Sequence, residues 1–265
     1  MFDEHNAQAD LKQDMLRHRD FKLRDGMGVV DDVRELEELE RSAIFAADLV
    51  SVCSLEDQTR LSARYNATCR FAFVPNCVRV EVGSRPHREK GIGNVFFAGV
   101  LDYFPNAEAV SQISTDIGPA IRARVPSVNL IVAGRRMPRV LQERMNHDVV
   151  KLVQDPTDIE PLFWDSTMVV PLSMGGGTRL KILEAFAAGC SVVSTATGAE
   201  GLDAIPGTHY LRAESAGEFA DSMAEIMNDP KEDLRRRQAA WDLVSSEYSF
   251  EAAATSLKKA LSLMA

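Results

Sequence analysis

The bulk composition of the chain excludes several classes of protein. Its 265 residues, 45% of them hydrophobic and 26% charged, are enough to bury a sizeable core in one large or two modest domains. The formal net charge of -9 disfavours nucleic acid or an anionic membrane as the main partner. The apolar stretches are shorter than the roughly 20 residues that span a bilayer, and the N-terminus MFDEHNAQAD has no signal-peptide pattern. We therefore expect a cytoplasmic protein.

The first 80 residues follow a β-α-β rhythm. Apolar residues spaced by three or four predict a helix over 29–47. A strand over 49–53 follows, and then Ser54 is expected to cap a helix over 55–65, with Asp57 as a capping-box-like acid. A strand over 70–74 completes the unit. The next segment is polar, punctuated by Gly and Pro, and indicates a linker.

The rest of the chain alternates strands and helices. Strands are predicted over 94–98, 128–133, 149–152, 168–172 and 191–194, and helices over 107–117 and 139–145, before Trp164, and after Ser215 and Lys231. This alternation predicts an α/β fold with a doubly wound parallel sheet. Ligands of such folds bind at the carboxyl ends of the strands, where Gly99, Gly134, Asp155 and Gly175 fall.

Three glycines, Gly175, Gly176 and Gly177, stand between the strand over 168–172 and a helix predicted to begin at about Thr178. Glycines allow close approach of a ligand, and a cap by Thr178 would leave the first N–H groups of the helix free for an anion. The alternative is an ordinary strand-to-helix turn that binds nothing.

The helix after the glycines carries two charged residues on one face. Lys181 and Glu184 lie three residues apart, and the helix is expected to end at Gly189. They are either part of a site or a solvated surface pair.

Neither the cysteines nor the histidines suggest a metal centre. The 4 cysteines form no CxxC motif, and the 5 histidines form no HxxxH or HExxH motif. The sequence predicts no metal and no cofactor.

The run GGGTRLKILEAFAAGCSVVSTATGAEGL, preceded by DPTDIEPLFWDSTMVVPL, resembles the nucleotide-sugar-binding half of a GT-B glycosyltransferase of family 4, the bacterial sugar transferases. Upstream, NVFFAGVLDYFPNAEAV, LIVAGRR, VPNCV, AADLVSVCSLEDQTRL and DEHN are similar in the same order. The resemblance therefore covers nearly the whole chain.

The resemblance implies a domain organisation. Residues 1–80 would be the remnant of an N-terminal, acceptor-side Rossmann-like domain, 81–91 a linker, 92–235 the donor-binding domain, and 236–265 helices that return to the N-terminal part. Compared with the family, roughly 100 residues of the first domain would be missing before MFDEHN. The exposed edge of such a truncated sheet would favour self-association.

The resemblance also implies roles for individual residues. Glu184 would accept hydrogen bonds from the ribose hydroxyls of the donor, while the backbone of the three glycines and Thr178 would meet its diphosphate or sugar. Arg179 and Lys181 would supply positive charge to the leaving nucleoside diphosphate. The remaining candidates are Gly99 at the first loop, Arg135, Asp155 in the loop that would line the base, and His5, which would reach the transferred sugar.

Two departures from the family pattern concern the donor. Many members carry a Glu that contacts the donor sugar at the position of Gly176, so sugar recognition would need another source, such as backbone amides. The first loop, VLDYFPNAE, lacks the basic residues common in the family. Phosphate binding would then shift towards Arg135, Arg136, Arg179 and Lys181.

The function implied is transfer of a sugar, with retention of configuration, from a nucleotide-sugar donor to a glycan or lipid-linked acceptor. A lipid-linked acceptor would place the protein peripherally at the inner face of the membrane. A donor-binding module without turnover and a sugar-nucleotide epimerase are alternatives; the epimerase would need acid/base carboxylates that the first domain does not offer.

Overall fold

The chain folds into two parallel β-sheets flanked by helices, as seen in a computed structural model that describes residues 1–4, 7–17, 33–67, 70–81, 84–86, 93–164 and 166–264. The N-terminal sheet has 3 strands and the second sheet has 6. The predicted α/β fold with a parallel sheet is confirmed.

The N-terminal sheet has the order β1-β2-β3, so β1 and β3 are its edges among the described strands. Its elements are β1 (Phe2–Glu4), α1 (Gln8–Arg17), α2 (Val33–Ala46), β2 (Leu49–Val52), α3 (Leu55–Tyr65) and β3 (Arg70–Phe73). The central strand β2 is buried along its whole length. Residues 29–32 of the helix predicted over 29–47 lie outside the described residues.

Ser54 caps α3 as predicted. Its hydroxyl accepts the backbone N–H of Asp57 at 3.0 Å, and the helix ends at Asn66 in the left-handed conformation, with φ 47°. The Asp57 carboxylate is used differently from the carboxylate of a capping box. It accepts the Ser54 hydroxyl and the backbone N–H of Ala7, so it joins α3 to the start of α1.

The second sheet has the order β6-β5-β4-β7-β8-β9, and all of its pairs are parallel. Its strands are β4 (Asn94–Val100), β5 (Asn129–Arg135), β6 (Val150–Gln154), β7 (Ser166–Val170), β8 (Ser191–Ser194) and β9 (Leu211–Arg212). From β4 the chain builds outwards through β5 and β6, then returns to the other side of β4 with β7. This reversal opens a crevice at the carboxyl ends of β4 and β7, where ligands of doubly wound sheets bind.

The helices of the second part are α4 (Phe104–Gln112), α5 (Gly118–Arg124), α6 (Arg139–Arg144), α7 (Glu160–Phe163), α8 (Leu180–Ala187), α9 (Ala216–Asn228), α10 (Pro230–Glu247) and α11 (Phe250–Ser262). The prediction of one helix over 107–117 is wrong at both ends. Helix α4 begins at Phe104 because Pro105 fits the first helical turn, and a π-helical turn over Ile113–Ile117 joins it to α5.

The two sheets have separate cores. A large cluster fills the faces of the six-stranded sheet, where the rings of Phe96 and Phe163 meet edge to face at 5.3 Å. A smaller cluster around Ile44, Val50 and Leu61 lies under the N-terminal sheet. Ala260 on α11 packs against Leu49 and Ala72, so the C-terminal helix lies on β3. The domain boundaries implied by the resemblance stay predictions.

The described part of the predicted linker lies on the second sheet's helices. The Ser84 hydroxyl donates to the carbonyl of Ala187 at the end of α8 and accepts the Trp241 indole N–H from α10. Gln238 donates to the carbonyl of Pro86. Residues 84–86 are therefore held between α8 and α10.

Among the residues that the structure describes, no helix combines the length and the apolar character needed to cross a bilayer.

Candidate functional site

The three glycines form a tight turn between β7 and α8. Gly175 and Gly177 have φ values of 143° and 68°, which residues other than glycine rarely adopt. A Cβ atom at Gly175 would lie 2.9 Å from the guanidinium nitrogens of Arg179. Glycine is therefore required here both by backbone conformation and by the space that Arg179 takes.

Arg179 holds this turn together. Its Nη1 donates to the carbonyls of Gly176 at 2.5 Å and Gly177 at 3.4 Å, and its Nε and Nη2 donate to the carbonyl of Thr197 at 3.3 and 3.1 Å. The side chain is 7% exposed, and burial lowers the pKa of Arg179, an effect that Glu200 opposes. The guanidinium group is therefore hydrogen-bonded to backbone carbonyls of the turn and does not point into solvent.

The predicted capping role of Thr178 is wrong. Helix α8 begins at Leu180, its N-cap is Arg179, and no side chain caps it. The Thr178 hydroxyl instead donates to the carbonyl of Cys53 at 3.1 Å, at the end of β2. This bond ties the glycine turn to the N-terminal sheet, a long-range contact that local capping rules cannot foresee.

The predicted end of α8 at Gly189 is confirmed. Gly189 has φ 67°, its N–H donates to the carbonyl of Phe186 at 3.0 Å, and the N–H of Cys190 donates to the carbonyl of Ala185 at 2.8 Å. This is a Schellman motif. It fixes the length of the helix that carries Lys181 and Glu184.

Lys181 and Glu184 do not form the solvated surface pair that the sequence left open. The Lys181 Nζ turns inwards, donates to the Asn106 side-chain carbonyl at 2.7 Å and lies 4.1 Å from the centre of the Phe97 ring. Burial, and then the charge of Arg179, lower the pKa of Lys181 to about 7, while Glu184 acts in the opposite direction.

Glu184 is exposed on α8, and the described residues give its carboxylate no hydrogen bond or ion pair. Partial burial raises the pKa of Glu184, and Lys181 lowers it. An exposed carboxylate on the helix that follows the glycine turn is available to accept hydrogen bonds from a ligand.

A cleft of about 660 Å³ opens at the carboxyl ends of β4 and β5. Its lining comes from the ends of those strands, the loop after β6, and α8: Ala98, Gly99, Val100, Ala133, Gly134, Arg135, Pro156, Thr157, Asp158, Ile159, Leu180 and Glu184. The predicted residues Gly99, Arg135 and Glu184 are thus brought together. A second cavity of about 460 Å³ shares Leu180 and Glu184 with it.

Asp155 does not line this cleft. It is exposed, with φ 48°, and its carboxylate accepts the backbone N–H of Arg136 at 3.4 Å. Arg136 in turn pairs with Asp102 at 2.5 Å. Loop residues 156–158 occupy the place at the cleft that the sequence assigned to Asp155. His5 lies outside the described residues.

Two glycines bring β4 and β5 close together at the cleft. A Cβ atom at Gly134 would lie 2.0 Å from the carbonyl oxygen of Gly99, and one at Gly99 would lie 2.8 Å from the Asn106 Nδ2. Close approach, rather than positive φ, requires glycine at both positions. Asn106 was missed in the sequence; the signal available was a polar residue next to Pro105 at a helix start.

Among the described residues, no three His, Cys, Asp or Glu side chains lie close enough together to hold a metal ion. The absence of a metal and of a cofactor stays a prediction.

The parallel six-stranded sheet matches the Rossmann-like domains of GT-B glycosyltransferases. The family described as glycosyl transferases group 1 matches residues 93–229, so the chain belongs to that family. No curated protein matches the chain.

Solved structures show the same fold. TarM superposes with a TM-score of 0.71 at 12% identity, over 90% of this chain and 48% of TarM. Sucrose-phosphate synthase from Thermosynechococcus elongatus has a TM-score of 0.67 at 21% identity, over 87% of this chain and 62% of that protein. HepE of Anabaena has a TM-score of 0.64 at 15% identity, over 87% and 70% of the two chains. The chain thus spans about half of TarM's length.

Proposed function

We propose that the chain binds a nucleotide-sugar donor in the cleft at the ends of β4, β5 and α8 and transfers its sugar to a glycan or lipid-linked acceptor. The observation that carries the proposal is the exposed Glu184 carboxylate, which lines the cleft one helical turn after the start of α8. Membership of family 4, retention of configuration and action at the inner face of the membrane are parts of the same proposal.

Each part of the donor has a matching group. Glu184 would accept the ribose hydroxyls, and the backbone N–H groups that follow the glycines would meet the diphosphate. Lys181, together with Arg135 in the lining of the cleft, would supply the positive charge, because Arg179 is engaged with backbone carbonyls. Stabilising the leaving diphosphate would be the main electrostatic contribution to the reaction. We propose that this needs no metal, so a chelator should leave donor binding unchanged.

Two solved structures with the same fold support a donor of this kind. A TarM variant from S. aureus was solved with UDP, and HepE was solved with UDP and glucose. UDP is therefore the first probe for this chain, followed by ADP, GDP and the other nucleoside diphosphates.

Calorimetric titration of the full chain tests the donor site. We expect Glu184→Ala to weaken binding of the preferred diphosphate roughly tenfold to a hundredfold, since hydrogen bonds to a charged group contribute about 1.5–3 kcal/mol. Glu143→Ala is the matched control, because Glu143 is exposed and its ion pair is with Arg139 on its own helix. Unchanged affinity in Glu184→Ala would refute the ribose assignment, and no binding of any diphosphate would refute the donor site.

A donor-binding module without turnover is the second candidate, and the observation that favours it is the coverage of TarM. This chain covers 48% of TarM, so about half of that protein has no counterpart in these residues. Release of the nucleoside diphosphate from a sugar nucleotide, with and without added acceptor, separates the two. Binding without release would favour the module.

A further inference from the structure

Asn106 has its whole side-chain amide engaged at the edge of the cleft. It lies on the first turn of α4 and is 7% exposed. Its Nδ2 donates to the carbonyl of Val100 at 2.8 Å, and its Oδ1 accepts the Lys181 Nζ at 2.7 Å. Because a carbonyl can only accept and an ammonium group can only donate, the two partners fix which way the amide points.

This amide decides where the Lys181 ammonium group lies. A lysine side chain is flexible and normally carries its charge to open water. Here Nζ is directed to the end of β4, 3.3 Å from where a Cβ atom at Gly99 would be. Asn106 provides the hydrogen bond at this place, and the Phe97 ring provides the surface beneath it.

We propose that Asn106 is a positioning residue that holds the Lys181 ammonium group beside Gly99, where it meets the diphosphate of the donor. This role rests on the proposed function. It also accounts for the lack of basic residues in the first loop, VLDYFPNAE. The ammonium group comes from α8, and a neutral side chain of α4 holds it beside that loop, in addition to the charge of Arg135 at the end of β5.

The charges around Lys181 add a pH dependence. Burial lowers the pKa of Lys181 most, the charge of Arg179 in the glycine turn lowers it further, and the charge of Glu184 on α8 raises it. Asn106 on α4 and Phe97 on β4, which contact Nζ, do not titrate. A bound diphosphate raises that pKa, because a nearby negative charge favours the protonated amine. Above pH 7 diphosphate binding should therefore take up a proton.

The contact is tested first in the protein without ligand. Side-chain NMR of Lys181 gives its pKa in the wild type and in Asn106→Asp. A carboxylate within hydrogen-bond distance of the ammonium group should raise that pKa by about one unit or more. If Asn106→Asp leaves the titration of Lys181 unchanged, the two side chains are not in contact and the proposal is overturned.

A double-mutant cycle on diphosphate binding tests the role. Asn106→Ala and Lys181→Met should each weaken UDP binding, or binding of whichever diphosphate the wild type prefers, roughly tenfold. The double variant should bind no more weakly than Lys181→Met alone, because both changes remove the same interaction. Binding of the nucleoside without phosphates should be unaffected. Losses that simply add would overturn the proposal.

Controls separate this role from folding and from the proposed function. Asn129→Ala, at the opposite end of β5, should change neither readout, and Asn106→Ser should recover part of the affinity by keeping an acceptor. If Asn106→Ala lowers the thermal stability, Asn106→Ser still tests diphosphate binding and Asn106→Asp still tests the contact by NMR. If the wild type binds no diphosphate, the proposed function fails together with this role, while the NMR titration separately decides the contact.

Discussion

The two sheets of this chain depend on apolar packing and ion pairs in different proportions. The six-stranded sheet rests on a continuous apolar core in which residues such as Phe96, Phe97 and Phe186 are fully buried, and a buried ion pair of Arg237 with Asp233 on α10 adds to it. The N-terminal sheet has a small apolar cluster and, around it, charged side chains with specific partners. Glu40, 4% exposed, accepts the N–H of Gln8 and the Tyr65 hydroxyl, and Arg64 pairs with Asp10 and Glu37.

This difference shows how the polar groups beside a sheet can stay available for a ligand. Where apolar packing supplies the stability, polar groups at the strand ends can stay available, as Glu184 does. Where ion pairs and buried carboxylates hold the helices, the polar groups are already used. Burial raises the pKa of Glu40, and its partners, Tyr65 first, oppose the rise.

The largest expected effect is in the apolar core. Phe186→Ala removes a fully buried ring from α8 and should lower the free energy of unfolding by about 4 kcal/mol. Phe45→Ala, on the exposed face of α2, is the control and should cost less than about 0.5 kcal/mol. Urea unfolding measures both. A small loss in Phe186→Ala would mean that the larger sheet does not depend on its core.

The next effect concerns the ion pairs of the N-terminal sheet. Arg64→Ala leaves Asp10 and Glu37 without their cation, and we expect a loss of about 2 kcal/mol, below the usual value for fully buried pairs because both partners are partly exposed. Arg139→Ala breaks an exposed pair with Glu143 and should cost a few tenths of a kcal/mol, roughly. Equal losses in the two variants would contradict the proposed dependence on charge.

Lys181 gives the larger sheet one pH-sensitive position. Its pKa in the folded protein is about 7, below the ordinary lysine value of 10.5, so the unfolded chain binds more protons between these values. Stability therefore rises with pH across that window. Relative to Lys181→Met, the wild type should gain about 1 kcal/mol between pH 7 and pH 8 in urea unfolding. Lys151 is an exposed lysine of β6, so Lys151→Met should not change the pH profile of stability. If the profile of Lys181→Met runs parallel to that of the wild type, the Lys181 amine is not buried.

The smallest expected effect is at the contact between the two parts. Arg60 on α3 pairs with Glu200 at 2.6 Å, and Glu200 lies 3.8 Å from Arg179. Both members of the first pair are about one third exposed, so Arg60→Ala should cost about 0.5 kcal/mol. If the loss instead exceeds that of Arg64→Ala, the ion pair between the two parts contributes more to stability than the ion pairs within the N-terminal sheet.

Self-association through the N-terminal sheet stays a prediction. Strands β1 and β3 are its edges among the described residues, and light scattering at several concentrations would report a dimer. A monomer at all concentrations would contradict it.

The sequence predicted best where a local signal decides the structure. Ser54 and Gly189 mark a helix start and a helix end by side-chain capping and by left-handed backbone, and both are where they were expected. The start of α8 was misplaced because the Thr178 hydroxyl is used by a carbonyl of the other sheet. The direction of the Lys181 side chain depends on Asn106, which is 75 residues away in the sequence. Periodicity within a helix contains no information on such partners.

Gly189 lies where the end of α8 contacts residues 84–86, which connect the two sheets. A Cβ atom there would lie 2.7 Å from the Pro86 ring and 2.8 Å from the Ser84 carbonyl oxygen, in addition to the left-handed backbone. The end of the site helix and the segment that connects the two sheets therefore fit each other as a pair. A chimera that takes the N-terminal part from another member of the family should keep residues 84–86 of this chain together with α8, since a bulkier connector would press on the end of the helix that carries Glu184.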